Sequence, residues 1–117
     1  MPVHSKPLPL SRRSCVPCEG GVPLIEGTEA KRILETLRGW ELDQSARVIL
    51  KKVNAKSFAG VIDLVNQIAE LAEKEQHHPD LHITGYRHLA VELTTHAIGG
   101  LSENDFILAS KIDELIS

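Results

Sequence analysis

The strongest constraint on the fold is a long amphipathic segment that runs from Ser57 to a proline at position 79. Its apolar residues recur three and four positions apart, the spacing that gathers side chains on one face of a helix. They are Phe58, Val61, Ile62, Val65, Ile68, Ala69 and Ala72. Because the residue before a proline is disfavoured in the α region, we predict that the helix ends here. We expect His77 in its last turn and His78 just beyond it.

A strand pattern follows, between Tyr86 and His96. Successive side chains of a strand point to opposite faces, and here the two faces differ in polarity. One face carries Arg87, Leu89, Val91, Leu93 and Thr95, and the other carries Tyr86, His88, Ala90, Glu92, Thr94 and His96. We therefore predict that the Leu-Val-Leu set meets the helices and that His96 ends the strand on the opposite face.

The remaining patterns predict two more helices and a hairpin. A first helix starts at a Thr28 cap and stops at Gly39. Residues 40–43 and 46–53 have strand composition and a short connection, so we expect them to pair. The sequence from Ser102 to Asp105 has the form of a capping box for the last helix, which is predicted to bury Phe106, Ala109 and Ile112, with Leu115 or Ile116.

With a short strand near His82 to Thr84, the element order is α-β-β-α-β-β-α. This order predicts an α+β fold in which an antiparallel four-stranded sheet has its helices packed on one face. The other face of the sheet is left uncovered. A chain of 117 residues seldom leaves a sheet face bare, so we expect a homodimer or a homotetramer.

The N-terminal segment differs from the rest of the chain. Residues 1–23 hold five of the six prolines and should be irregular, whereas residues 24–117 form one folded domain. Cys15 and Cys18 form a C-x-x-C pair in this tail. Such a pair is typical of a redox motif or of half a zinc site. The glycines and proline that follow do not favour a helix, and no second ligand pair is near, so we expect two free thiols.

Charge and composition exclude several classes of partner. A formal net charge of -3 and an aromatic content of 3% do not indicate nucleic-acid binding. No apolar run approaches the roughly 20 residues that span a bilayer, and no secretory signal is visible. We expect a cytoplasmic protein with no membrane partner.

Three histidines are the candidate chemical groups: His77, His78 and His96. Imidazole titrates near neutral pH, so three around one site suggest proton transfer. Two other interpretations fit the spacing alone. The histidines could be surface or capping residues, or they could bind a metal ion. Glu73 precedes His77 by four residues, which predicts that the two lie on one helical face. The pair is then either a surface contact that favours a cation at the helix C-terminus or a carboxylate that orients the imidazole.

The wider spacing resembles a known signature. Glu73, His77-His78-Pro79, Tyr86, His96 and Asp105, together with the run from Gly100 to Ala109, are similar to the pattern of the pterin-4a-carbinolamine dehydratases. The resemblance covers roughly residues 24–117. Animal members have a tryptophan after the His-His-Pro-acidic run, whereas this chain has Leu81 and a loop to Tyr86 that is one residue longer.

The resemblance implies an enzyme, a hydro-lyase that dehydrates 4a-hydroxytetrahydrobiopterin to the quinonoid dihydropterin without a cofactor. The product would feed an aromatic amino-acid hydroxylase pathway. His77, His78 and His96 are then the implied catalytic residues. The implied substrate-binding positions are Glu73, Asp80, Leu81, His82, Thr94, Thr95 and Asp105. Relatives of this fold also serve as dimerisation or assembly cofactors, so a non-catalytic scaffold is the alternative.

Overall fold

The computed structural model describes residues 9–16 and 22–116, with Cys18 outside these ranges. Its helices are α1 (Gly27–Leu34), α2 (Phe58–Glu75) and α3 (Glu103–Ile116). Its strands are β1 (Glu41–Leu42), β2 (Ile49–Asn54), β3 (Asp80–Thr84) and β4 (His88–Leu93). The strands form one antiparallel sheet in the order β1-β2-β4-β3. The predicted α+β fold is confirmed.

Strand β4 carries the centre of the core. Leu89, Val91 and Leu93 are almost completely buried, and the alternate residues lie on the open face of the sheet. Val91 lies opposite Lys51 of β2 on one side and Leu81 of β3 on the other. The predicted polarity of this strand is confirmed, because its period of two places Leu89, Val91 and Leu93 towards the helices.

Helix α2 begins where the sequence predicts. The Ser57 side chain accepts a hydrogen bond from the Gly60 N–H at 2.9 Å and caps the first turn. Val61, Ile68 and Ala72 of the apolar stripe are buried. Phe58 and Ile62, however, are 56% and 37% exposed, so only part of the stripe meets the sheet in a single chain.

The prediction that His77 lies in the last turn of α2 is wrong. The helix ends at Glu75, and Gln76 adopts the left-handed conformation with φ of 55°. The His77 N–H then bonds back to the Ala72 carbonyl at 3.2 Å, the reverse bond of a Schellman ending. His77 is therefore already outside the helix, two residues before the proline that was predicted to stop it.

The limits of β4 also differ from the prediction. Tyr86 lies in the β3–β4 turn with φ of 54° and is 60% exposed, so it is not a strand residue. At the other end, β4 stops at Leu93 and His96 opens a 3-10 helix, His96–Ile98. The chain leaves the sheet because the Thr95 N–H bonds to the Gly100 carbonyl at 2.8 Å and closes a local loop.

Two other boundaries move for local reasons. Helix α1 begins at Gly27 without a Thr28 cap, and it ends at Leu34 because i→i+3 bonds replace the α pattern up to Leu37. The β1–β2 hairpin is confirmed, but β2 starts at Ile49. The Asp43 carboxylate accepts the N–H groups of Arg47 and Val48, which holds these residues in the turn.

Helix α3 is buried on most of its surface. Phe106, Ala109 and Ile112 are fully buried as predicted, and so are Asn104 and Asp105 in its first turn. Residues 9–16 include a 3-10 helix, Leu10–Arg12, which contacts α3. Within the described ranges, no helix is long and apolar enough to cross a membrane.

Candidate active site

His77 makes a buried polar contact with Asp105. Its Nε2 lies 2.6 Å from Oδ1 of Asp105, and the two side chains are 6% and 0% exposed. A carboxylate only accepts hydrogen bonds, so Nε2 is the nitrogen that donates. This contact joins the end of α2 to the first turn of α3. It replaces the predicted pairing of His77 with Glu73, which was wrong.

Asp105 is the centre of a buried network. Its second oxygen, Oδ2, accepts from the Thr95 hydroxyl at 2.8 Å and from the Ser102 N–H at 2.9 Å. The second of these bonds is the N3-to-N-cap contact of the predicted capping box. The Thr95 and Ser102 hydroxyls also bond to each other at 2.7 Å. The carboxylate is thus held by three donors, which satisfies a charge that would otherwise be costly to bury.

His78 has a carboxylate partner of a different kind. Its Nε2 lies 2.5 Å from Oε2 of Glu73, but the two side chains are 57% and 71% exposed. The pair forms because the left-handed ending of α2 turns His77 inward and leaves His78 against the last helical turn. An exposed pair such as this adds little to stability, so its interest lies in its position beside His77.

His96 follows the buried network directly. Thr95 is almost completely buried, and His96 is exposed at the start of the 3-10 helix. Thr94 points away, and its hydroxyl donates to the Arg47 carbonyl at 2.6 Å. The structure therefore connects His77 to the residue before His96 through Asp105 and Thr95.

The implied substrate-binding residues of β3 fall on two faces. Asp80 and His82 lie on the open face of the sheet, where His82 Nε2 is 3.3 Å from Oε2 of Glu92. Leu81 lies between them on the face that meets the core. Of these three residues, Asp80 and His82 are accessible from the side of the sheet that carries no helix, and Leu81 is not.

His77 is buried, whereas His78 and His96 are exposed. Three concave regions of about 620, 810 and 330 Å³ lie elsewhere, and none of them is lined by His77, His78 or His96. Within residues 9–16 and 22–116, no group of three or more histidine, cysteine or acidic side chains is arranged to hold a metal ion. What the arrangement offers is two carboxylate-bound imidazoles in sequence and a third, exposed imidazole next to the buried network.

Four residues of this region were not predicted from the sequence. Ser102 was recognised only as a cap, yet its hydroxyl bonds to Thr95. Cys15, Glu75 and Asn104 join the N-terminal segment to the ends of α2 and α3. No spacing pattern in the sequence identifies Cys15, Glu75 or Asn104, because their partners are backbone groups or lie more than 30 residues away.

Comparison with known proteins agrees with the sequence resemblance. A family model described as pterin 4 alpha carbinolamine dehydratase matches residues 23–115. A Halorhodospira halophila protein with a name of the same family is 42% identical over 106 residues, which cover 91% of this chain and 96% of that protein. Pterin-4-alpha-carbinolamine dehydratase 2, mitochondrial, of Arabidopsis thaliana is also 42% identical, over 91% of this chain and 58% of the relative.

Two solved structures share the fold. One is a transcriptional coactivator/pterin dehydratase from Brucella melitensis, with a TM-score of 0.75, 27% identity, and coverage of 81% of this chain and 100% of that one. The other is a pterin dehydratase-like protein identified as a RuBisCO assembly factor in the alpha-carboxysome. Its TM-score is 0.56 at 20% identity, over 67% of this chain and 89% of that one. At that identity it supports the fold alone.

Proposed function

The chain belongs to the pterin 4 alpha carbinolamine dehydratase family, and from that premise we propose that it dehydrates a 4a-hydroxytetrahydropterin to the quinonoid dihydropterin and water. In this reaction the bond from C4a to the hydroxyl oxygen breaks, and N5 loses its proton as the C4a–N5 double bond forms. The leaving hydroxyl needs a proton and N5 needs a base, which is work for two positioned groups of near-neutral pKa.

The observation that carries the proposal is the network centred on Asp105. It holds His77 by one carboxylate oxygen and Thr95, the neighbour of His96, by the other. Two imidazoles are in this way attached to one rigid buried unit, which favours a fixed geometry between an acid and a base. We assign acid and base work to His77 and His96 together, and positioning of the substrate to His78.

The supporting residues divide by exposure. Asp105 and Thr95 are buried, and their oxygens are engaged within the network, so they act through the histidines rather than on the pterin. Glu73 holds His78 from an exposed position. The exposed parts of Asp80, His82 and Thr94 remain the proposed pterin contacts, with backbone groups around them and Leu81. We expect the recycled pterin to serve an aromatic amino-acid hydroxylase. The location of the protein in the cytoplasm is a separate prediction.

The proposal is tested by adding purified protein to freshly generated 4a-hydroxytetrahydrobiopterin and following its dehydration. We expect acceleration over the spontaneous rate, and a loss of about 10²-fold or more in the variants His96→Ala and His77→Gln. His77→Gln keeps a side-chain amide that can still donate to Asp105, so it removes the imidazole with little change in packing.

His88→Ala is the matched control, because His88 is an exposed histidine of β4 on the open face of the sheet. Its rate should equal that of the unchanged protein. If the unchanged protein does not exceed the spontaneous rate, the enzyme assignment is wrong and the scaffold alternative takes its place. If only His88→Ala is slow, the site has been placed on the wrong part of the sheet.

A further inference from the structure

We propose that Cys15 and Val16 act as a backbone clamp that positions His77 against Asp105. The two residues lie in the N-terminal strap, the name that we give to the described residues 9–16. The proposal rests on the proposed function, since it assigns positioning residues to that site. It arises from the hydrogen bonds that the strap makes to Asn104 and Glu75, neither of which has a role in the proposed reaction.

Asn104 receives the first half of the clamp. Its side-chain Oδ1 accepts from the Val16 N–H at 2.9 Å, and its Nδ2 donates to the Val16 carbonyl at 2.7 Å. The residue is 1% exposed. An amide side chain that satisfies both backbone groups of one residue fixes that residue as a sheet partner would. Asn104 directly precedes Asp105, so the clamp acts on the turn that carries the carboxylate.

Glu75 receives the second half. Its Oε1 accepts from the Cys15 N–H at 2.9 Å, and its Oε2 accepts from Lys111 Nζ of α3 at 2.6 Å. The Glu75 side chain is 6% exposed, so these are strong and poorly screened contacts. Glu75 is the last residue of α2 and stands two residues before His77.

The clamp thus spans the two segments that the His77–Asp105 bond has to bring together. Neighbouring strap residues hold the last residue of α2 and the second residue of α3, and the Cys15 thiol also contacts the Asn104 carbonyl at 3.6 Å. The helix ending and the bond to Asp105 also position His77, and the clamp restrains the two segments that carry them. A displacement of about 1 Å can cost about 10²-fold in rate, so a modest loosening is measurable.

A proline at position 16 tests the clamp in the full chain. Val16→Pro removes the N–H that bonds to Asn104 and leaves the carbonyl in place. Ser14→Pro is the matched control two residues earlier. Ser14 is exposed, and within the described ranges its N–H makes no hydrogen bond. The residue before it, Arg13, is already extended with φ of −84° and ψ of 157°, as a following proline requires.

Two readouts are needed, because activity alone would not separate this proposal from the proposed function. The first is the split of kcat from KM, for which we expect about a 10-fold fall in kcat with KM within about twofold. The second is the exchangeable proton of the His77–Asp105 bond in the NMR spectrum, assigned by its loss in His77→Gln. We expect it to shift or broaden in Val16→Pro and to stay in place in Ser14→Pro.

The outcomes divide clearly. A moved proton signal in Val16→Pro alone supports the clamp even if no dehydratase activity is found, in which case only the proposed function fails. Unchanged kcat and proton signal in folded Val16→Pro overturn the clamp, and so do equal effects of the two prolines. If Val16→Pro does not fold, Asn104→Ala is measured in the same way. Failure of both to fold, while Ser14→Pro folds, shows a purely structural role and also overturns the proposal.

Discussion

Asp105 shows how a carboxylate can be accommodated in the interior of the protein. A buried carboxylate loses its hydration, and this loss is compensated only if its oxygens accept hydrogen bonds from the protein. Here Oδ1 of Asp105 takes the imidazole N–H, and Oδ2 takes one hydroxyl and one backbone N–H. His77 and Asp105 therefore belong to a unit of four residues that lie after α2, after β4 and at the start of α3.

At the scale of one residue, removal of the Asp105 carboxylate should lower the free energy of unfolding markedly. Asp105→Ala leaves three buried donors without their acceptor, and we expect a loss of about 3–5 kcal/mol in the free energy of unfolding. Asp105→Asn keeps one acceptor oxygen and should lose less, about 1–3 kcal/mol. Urea unfolding of the three proteins gives these differences.

The control for this prediction lies in the same helical turn. Glu103 is exposed and forms a surface ion pair with Arg13, so Glu103→Ala should change the free energy of unfolding by no more than about 1 kcal/mol. Equal losses for Asp105→Ala and Glu103→Ala would mean that the network contributes nothing specific.

The sequence identified these side chains but not how they pair. The spacing of Glu73 and His77 suits one helical face, yet the left-handed Gln76 ends the helix between them. Glu73 then meets His78, and His77 meets a carboxylate 28 residues away. A contact across that distance depends on how α2 and α3 pack, which no local spacing encodes. The capping box was readable because its partners are three residues apart.

At the scale of elements, the N-terminal strap is the part that sequence patterns describe least. Prolines predict an irregular segment, but an irregular segment has no period that would show which face it buries. Its contacts to Asn104 and Glu75 use backbone groups, which every non-proline residue has. The strands and helices were predictable because their apolar side chains recur with a fixed period.

The strap should protect the Cys15 thiol. Burial, with the nearby Glu75 carboxylate, raises the pKa of Cys15 from 9.0 to about 12. At pH 8 this lowers the fraction of Cys15 in the thiolate form by about 10³. A more basic thiolate is also more nucleophilic, which raises its rate constant by about 30-fold and leaves a net loss in reactivity of about 30-fold. In a Cys18→Ser background, we expect Cys15 to react with iodoacetamide about 30-fold more slowly in the folded chain than in urea. Equal rates would show that the strap does not bury the thiol.

The ion pair of Glu75 with Lys111, which connects α2 to α3, should make the free energy of unfolding depend on pH in the acid range. Burial alone would raise the pKa of its carboxyl, but the bonds from Lys111 and from the Cys15 N–H outweigh burial and lower it below 4.5. A lowered pKa in the folded state contributes stability above the unfolded value, and this is lost as the pH falls through the folded value. The window therefore lies at and below pH 4.5.

We expect Glu75→Gln to be less stable than the unchanged protein at pH 7 and to lose less stability between about pH 5 and pH 3. Urea unfolding at each pH measures both. The Asp43 carboxyl also has a lowered pKa, because hydrogen bonds from Ser45, Val48 and Arg47 outweigh its burial, but it is present in both proteins and cancels. Parallel stability curves for the two proteins would contradict the role given to Glu75.

At the scale of the whole molecule, the structure weakens the argument that the uncovered sheet face is the interface of an oligomer. The face carries Lys52, Asp80, His82, His88 and Glu92, and an antiparallel sheet with a polar face can be exposed to water. Helix α2 exposes two large apolar residues one turn apart, Phe58 and Ile62, which belong to the stripe that was predicted to be buried. Such exposed apolar side chains mark contact surfaces more often than polar ones do.

We therefore expect α2 to hold the homo-oligomer together. Light scattering during gel filtration should give two or four times the chain mass of 12.9 kDa. Ile62→Glu places a charge in the exposed part of α2 and should reduce the mass to that of one chain without unfolding, because Ile62 contributes little to the core of a single chain. Ala90→Arg, at the centre of the open sheet face, is the control and should leave the mass unchanged. The reverse result would return the interface to the sheet, and a mass of 12.9 kDa for the unchanged protein would rule out both surfaces.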